Sequence, residues 1–270
     1  MKNKLFKLSK SKKPIIGMIH LDYLPGQIGF KGFDFLIKKA LEDLQALEKG
    51  GVEGVMIENW KDETDNPFVS TNIIEDLIKV SDIITKNTNL PIGINVLPND
   101  YRAAFLIAKK CNLKFIQSDV FVDHVRTNYS YSNQKPFEIK VDLKDFENQR
   151  KKYNCENVLV FASIHPKHYI TLENKTILES AKEALANKAD VIVITGKITG
   201  EEPILENVKK IKENIKNIIL FVGSGLNENN AKSLLEYADG AIVGTAFKTP
   251  DFEKVVICKV KNIMNNIKNF

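Results

Sequence analysis

Apolar positions along this chain fall into two alternating rhythms. Short runs rich in Ile and Val, such as Ile15-Ile16-Gly17-Met18-Ile19 and Val158-Leu159-Val160-Phe161-Ala162, give way to longer stretches with apolar residues three and four apart. Runs that are apolar at consecutive positions suit strands buried on both faces, as in a parallel sheet. The first helical stretch, residues 33–49, places Phe33, Leu36, Ile37, Ala40, Leu41, Leu44 and Leu47 on one side and stops at Gly50-Gly51, a pair suited to a left-handed C-cap. Further strands are predicted at residues 54–57, 91–96, 115–117, 158–162, 191–194, 218–222 and 241–243. Helical spacing follows each of them, over residues 73–88, 101–111, 143–153, 177–187, 204–214, 228–237 and from about 252 onward.

Eight strand–helix units in one chain predict an α/β fold, a (β/α)8 TIM barrel forming a single domain over residues 14–270. An open doubly wound sheet would call for a G-x-G-x-x-G turn after the first strand, where this chain has His20-Leu21-Asp22-Tyr23-Leu24-Pro25-Gly26. The rhythm breaks once. Residues 120–141, with Tyr129, Tyr131 and a turn at Pro136, separate the fourth strand from its helix and predict a hairpin-like, lid-forming insertion. Residues 1–13 read as a basic tail.

In such barrels the chemistry gathers where the strands end. The seventh strand runs into Gly223-Ser224-Gly225, followed by Asn227-Glu228-Asn229 opening a helix, and the eighth runs into Gly244-Thr245. Glycines let backbone N–H groups approach an anion, a helix start favours negative charge, and the two hydroxyls can add hydrogen bonds. Gly223, Ser224, Gly225, Gly244 and Thr245 are therefore expected to hold a phosphate. The bland alternative is that these glycines only shape tight turns.

The other strand ends are polar as well. His20, Glu58, Asp119, Lys167 and His168 are the candidate catalytic residues, and Asn59, Asn95, Asp100, Thr195, Gly196 and Thr199 the candidate substrate contacts. A carboxylate facing an imidazole can run acid–base chemistry, and a lysine can neutralise developing negative charge or, when desolvated, form a Schiff base. Asp100 also fits an N-cap. Glu58, Asp119 and one histidine could hold a divalent metal, although no compact ligand spacing demands one and no metal ligand is assigned. The expected function is catalysis on a phosphorylated sugar or nucleotide-like molecule, by glycosidic-bond cleavage or by isomerase or aldolase chemistry. The alternative is a non-catalytic assembly or regulatory factor that binds a phosphorylated effector.

Composition narrows this only a little. The net charge of +5 is spread along the chain, which describes a solvated surface and not a nucleic-acid face. Three widely spaced cysteines suggest a reducing, cytoplasmic setting without disulfides. No run reaches the ~20 apolar residues of a membrane span. Homo-oligomerisation stays open, since no helix stripe stands out as an interface.

Taken together, Gly17-Met18-Ile19-His20-Leu21, Ile57-Glu58-Asn59-Trp60 with Pro67-Phe68, Asn95-Val96-Leu97 with Asn99-Asp100, Lys167-His168, Thr195-Gly196 with Thr199-Gly200, Gly223-Ser224-Gly225 and residues 239–245 with Lys248 resemble the BtpA/SgcQ family. The resemblance implies a ribulose-phosphate-binding-type TIM barrel. It implies no settled reaction: one member of that family is linked to photosystem I biogenesis, and others sit with sugar-utilisation genes and carry a nucleosidase label. The chain departs from the resembled pattern in having Pro98 where Arg is usual, Gln117-Ser118-Asp119 for an Arg-Val-Asn type run, and Ser163 for Asp.

Overall fold

The structure, a computed structural model, describes residues 11–62, 66–128, 135–196 and 199–268. In chain order its elements are β1 (Ile15–His20), α1 (Phe33–Gly50), β2 (Gly54–Glu58), α2 (Thr71–Lys86), β3 (Ile92–Asn95), α3 (Tyr101–Cys111) and β4 (Phe115–Ser118). Two short strands follow, β5 (Val125–Thr127) and β6 (Glu138–Ile139), and then α4 (Leu143–Lys152), β7 (Leu159–Ile164), β8 (Tyr169–Thr171) and α5 (Ile177–Ala186). The chain finishes with β9 (Val191–Ile194), α6 (Leu205–Asn214), β10 (Leu220–Gly223), α7 (Ala231–Tyr237), β11 (Gly240–Val243), a 3-10 turn (Thr245–Phe247) and α8 (Ile257–Ile267).

Eight of the strands close on themselves in the parallel order β1-β11-β10-β9-β7-β4-β3-β2. Successive strand residues alternate between the barrel interior and the shell of helices. Ile16, Met18, Met56, Phe115, Phe161, Val193 and Phe221 belong to the inner cluster, whereas Ile15, Ile19, Val55, Ile57 and Val160 join Leu36, Leu44 and Leu47 in the outer one. The interior is filled by aromatic rings: Phe161 lies 5.0 Å from Phe115 and 5.3 Å from Phe221, centroid to centroid. Each fully buried side chain of this size contributes about 1.5–3 kcal/mol.

The floor of the barrel repeats one device three times. The acidic residue just before β2, β9 or β11 accepts the amide of a residue at the start of the preceding barrel strand, and returns its own amide to that residue's carbonyl. Ile15 N donates to Glu53 Oε2 at 2.9 Å, Val160 N to Asp190 Oδ2 at 3.0 Å and Leu220 N to Asp239 Oδ2 at 2.9 Å. The reverse bonds from Glu53, Asp190 and Asp239 measure 2.9, 3.0 and 2.7 Å. Arg150 supports Asp190 from α4 at 3.2 Å while donating to the carbonyls of Cys155, Glu156 and Val158.

Helix caps follow the chemistry of the chain. Gly51 ends α1 at φ 97 with its amide on the Leu47 and Glu48 carbonyls, and Thr176 and Glu179 form a reciprocal capping box on α5. The insertion is a hairpin, in which β5 pairs antiparallel with β6. It recruits β8 from the next loop on its other side, making a three-stranded sheet beside the mouth. Tyr129 and Tyr131 of the insertion, and residues 1–10 of the basic tail, lie outside the described residues.

The last two helices begin later than their periodicity predicts. α7 starts at Ala231 because Asn227 and Asn230 fold residues 227–230 into a side-chain-closed turn. α8 starts at Ile257 because residues 248–255 form an antiparallel bridge between Lys248 and Val255. No helix among the described residues is long and apolar enough to cross a membrane.

Candidate active site

Parallel register aligns one polar residue from each of the first four strands. His20 lies beside Glu58, Glu58 beside Asn95, and Asn95 beside Gln117. Because alternate residues face inward, this row is the top layer of the interior, directly above Met18, Met56 and Phe115. Asn95 Nδ2 is shared: it donates to Glu58 Oε2 at 2.8 Å and to Asp119 Oδ1 at 3.3 Å, so the two carboxylates flank one amide. Gln117 Nε2 donates to the same Asp119 oxygen at 2.7 Å. His20 Nε2 stands 3.5 Å from Glu58 Oε1, each side chain being 13% exposed. Asn95 Oδ1 is buried with no hydrogen-bond partner among the described residues, an acceptor without a donor.

Burial sets the electrostatics. It pushes Glu58 up to about 7, helped by the nearby charge of Asp119 and opposed by Lys167, the Asn95 amide and Lys248. Asp119 is raised for the same first reason. His20 is held well below the ordinary histidine range by burial and then by Lys248, Lys167 and Lys39. His168 is lowered to about 4 by burial and by Lys167, and its Nε2 meets Thr199 Oγ1 at 2.7 Å. Near neutral pH the mouth therefore holds uncharged imidazoles and a Glu58 carboxyl close to its own titration, which is an arrangement for moving a proton.

The two glycine turns sit at neighbouring strand ends, since Gly223 is in register with Ile242. They differ in what they offer. At the first turn Ser224 N donates to Ile242 O at 3.3 Å, and Ser224 Oγ accepts from Gly200 N at 3.1 Å. Gly225, at φ 74, lies so close to residues 201–202 that a Cβ would fall 2.2 Å from Glu201 O. The helix start expected to help here does not: Asn227 and Asn230 side chains take the Asn229 and Asn227 amides, and Glu202 contacts Asn230. At the second turn the amides of Gly244, Thr245 and Ala246 enter a 3-10 turn and meet no acceptor among the described residues. Gly244 is glycine because His20 fills the space its Cβ would take, 2.8 Å from Cε1.

Two candidate substrate contacts are structural instead. Asp100 caps α3, accepting Ala103 N at 2.8 Å, and tethers the preceding loop through Val69 N at 3.0 Å, so both oxygens are spent on backbone. Asn59, buried, clamps the second loop to the third: it accepts Leu97 N at 2.7 Å and donates to Leu97 O and Asp62. Thr195 Oγ1 accepts Lys167 N at 3.1 Å and donates to Gly196 O at 3.0 Å, so it shapes the rim. Gly196 has no room for a side chain, because Glu201 O lies 2.3 Å from where its Cβ would be. Among the described residues no three His, Cys, Asp or Glu side chains form a metal-ligand cluster, and Asn95 stands between the two carboxylates that were candidates.

Other groups at the mouth were given no role from sequence. Lys248 is 2% exposed, with Nζ 5.4 Å from the centre of the Trp60 ring and 3.1 Å from Phe252 O. Tyr169 reaches from β8 to donate to Pro98 O at 3.3 Å, and its phenol is raised by burial and by Asp119 and Glu58. Asp22, Lys39, Lys61 and Glu253 tie the first, second and eighth loops in one four-charge cluster. Gln117 and Ser163, both departures from the resembled pattern, touch each other at 3.3 Å, so a neutral hydrogen bond stands where that pattern would place charges.

A family model described as BtpA matches residues 11–269. An uncharacterized protein of Methanocaldococcus jannaschii is 33% identical over 260 residues, 94% of this chain and 95% of its own length. The photosystem I biogenesis protein BtpA of Synechocystis is 28% identical over 250 residues, 90% of this chain and 83% of its own. Among solved structures, (S)-3-O-geranylgeranylglyceryl phosphate synthase from Thermoplasma acidophilum, in complex with substrate sn-glycerol-1-phosphate, superposes with a TM-score of 0.63 at 15% identity, covering 98% of this chain and 97% of that one. At that identity the likeness speaks for the barrel alone.

Proposed function

The chain belongs to the BtpA family, and from that premise and the geometry of the mouth we propose that it is an enzyme acting on a phosphorylated polyhydroxy compound, a sugar phosphate or nucleotide-like metabolite. One observation carries the reading. The open amides of Gly244, Thr245 and Ala246 stand at one wall, the acceptors Asn95 Oδ1 and Asp119 gather near the facing wall, with β11 lying opposite β4 in the barrel order, and Glu58 on β2 stands between them. Donors at one end and acceptors at the other suit a molecule with an anionic end and a hydroxylated end. The Thermoplasma neighbour was solved with such a molecule, sn-glycerol-1-phosphate.

The chemistry proposed is proton transfer on the hydroxylated end, a step common to glycosidic-bond cleavage and to isomerase or aldolase reactions. Glu58, brought to about 7 by burial and by the Asp119 charge beside it, can give a proton to the substrate or receive one. Lys167, whose charge acts on both carboxylates, is placed to neutralise negative charge that builds on the substrate. Tyr169 and the three-stranded sheet would wall off that end from water. Two of the three free cysteines are buried, which suits a reducing cytoplasm.

Calorimetry with ribose 5-phosphate, glycerol 1-phosphate and their dephosphorylated forms tests this reading. The phosphorylated forms should bind at least about tenfold tighter, and Thr245→Asp, which adds a like charge at the open amides, should abolish that preference. Equal affinity for the dephosphorylated forms would overturn it.

A further inference from the structure

The side chains that face the open amides can be sorted by the hydrogens they have left to give. Asn95 Nδ2 carries two, and they go to Glu58 Oε2 and Asp119 Oδ1. Gln117 Nε2 also carries two, and they go to Asp119 Oδ1 and Ser163 Oγ. The Tyr169 phenol gives its one to Pro98 O. Asn95 is 2% exposed, and its Oδ1 has no donor among the described residues. Turning that amide over would set the oxygen against Glu58 and Asp119, so the carboxyl groups fix its orientation. What this end keeps for a ligand is mostly acceptors: Asn95 Oδ1, Asp119 Oδ2 and Glu58 Oε1, the last standing 3.5 Å from His20 Nε2. We infer that the end of the ligand held here is an uncharged polyol that donates hydrogens to these acceptors, and that a carboxylate in its place is rejected. The substrate class narrows to phosphorylated sugars and sugar alcohols, with phosphorylated sugar acids outside it.

Charge points the same way. Glu58 and Asp119 belong to this end, and Lys167, from the loop after β7, is the ammonium that acts on both. With both carboxyls ionised, the three groups sum to one negative charge; with a proton on Glu58 they sum to zero. A ligand carboxylate adds an uncompensated negative charge in either state. Lys248, the other ammonium at the mouth, lies beyond the 3-10 turn after β11, on the wall of the open amides, with its Nζ on Phe252 O. A carboxylate also brings acceptors only, so Asn95 Oδ1 would stay buried without a donor, which disfavours the complex. A hydroxyl gives its hydrogen to Asn95 Oδ1 and still accepts from Ser163, whose own hydrogen is not taken up by its bond from Gln117. This inference rests on the reading of the mouth as a site for a phosphorylated compound, and the experiment that follows separates the two.

Calorimetry on the full chain with ribitol 5-phosphate, ribonate 5-phosphate and ribitol provides the test. The two phosphates share a carbon chain and differ only at the end remote from phosphorus, a hydroxymethyl group in one and a carboxylate in the other. Ribitol 5-phosphate should bind at least about tenfold tighter, the factor that one uncompensated charge within about 10 Å produces at an effective dielectric constant near 20. Asp119→Asn, which keeps the shape and removes one negative charge, should bring the two phosphates close to parity. Ribonate 5-phosphate binding as tightly as ribitol 5-phosphate overturns the inference, and so does a preference that Asp119→Asn leaves unchanged. If that variant does not fold, the wild-type ratio alone decides. Ribitol binding as tightly as its phosphate counts against the phosphate reading and leaves the alcohol-against-acid comparison standing. Absence of binding by all three compounds overturns both.

Discussion

Replacing Glu58 by glutamine should stabilise the protein at alkaline pH. In the folded chain burial and Asp119 keep the carboxyl protonated up to about 7, whereas its ordinary value is 4.5. Between those values the folded state binds a proton that the unfolded chain has lost, so stability falls as pH rises through this window. At about 1.4 kcal/mol for each pH unit, full ionisation of the buried carboxylate costs on the order of 3 kcal/mol. Glutamine keeps an oxygen to accept the Asn95 amide and never ionises. Urea unfolding of both proteins at pH 5 and pH 8.5 reads the difference directly. Glu58→Gln should gain on the wild type by about 2.5 kcal/mol between the two conditions, while losing the acid proposed above. A stability difference that stays constant with pH, or that moves against the variant as pH rises, would refute the reasoning.

Two further substitutions separate the frame from the site. Asp100→Ala removes the α3 cap and the Val69 tether and should cost about 1–2 kcal/mol in urea unfolding, with affinity for sugar phosphates unchanged. Arg150→Met leaves Asp190 buried without its partner and should cost about 3–5 kcal/mol. The double variant with Asp190→Asn should recover part of that loss, which a double-mutant cycle would measure.

Much of this architecture is legible in the chain. Eight apolar runs with helical periodicity between them define the closed barrel, because a parallel strand buried on both faces cannot hide its composition. The polar strand ends were legible for the same reason, since His20, Glu58 and Asn95 interrupt runs that are otherwise apolar. What a sequence does not display is where a polar side chain spends its hydrogen bonds. Asn59 and Asp100 read like site residues and instead hold backbone amides, a distinction that depends on loops about 30–40 residues away. Tyr169 was hidden because β8 is three residues long and pairs with β5, from a different loop. Lys248 entered only through the family resemblance, and its burial was hidden because one lysine among many carries no mark of it. The late starts of α7 and α8 were obscured because local turns override helical spacing near a strand end.

The three acidic clasps at the floor have a consequence for the opposite end. Side chains on a strand change face with every residue and rise about 3.3 Å per step. Slippage of β2 by a single residue would turn Glu58 outward and bring Ile57 to the rim in its place. By locking the starting heights of β2, β9 and β11 to β1, β7 and β10, Glu53, Asp190 and Asp239 help determine from some five residues below which atoms can meet at the top. Residues that never touch a ligand thus decide its alignment, and the mouth can be rewritten one side chain at a time while the scale it is measured against stays put.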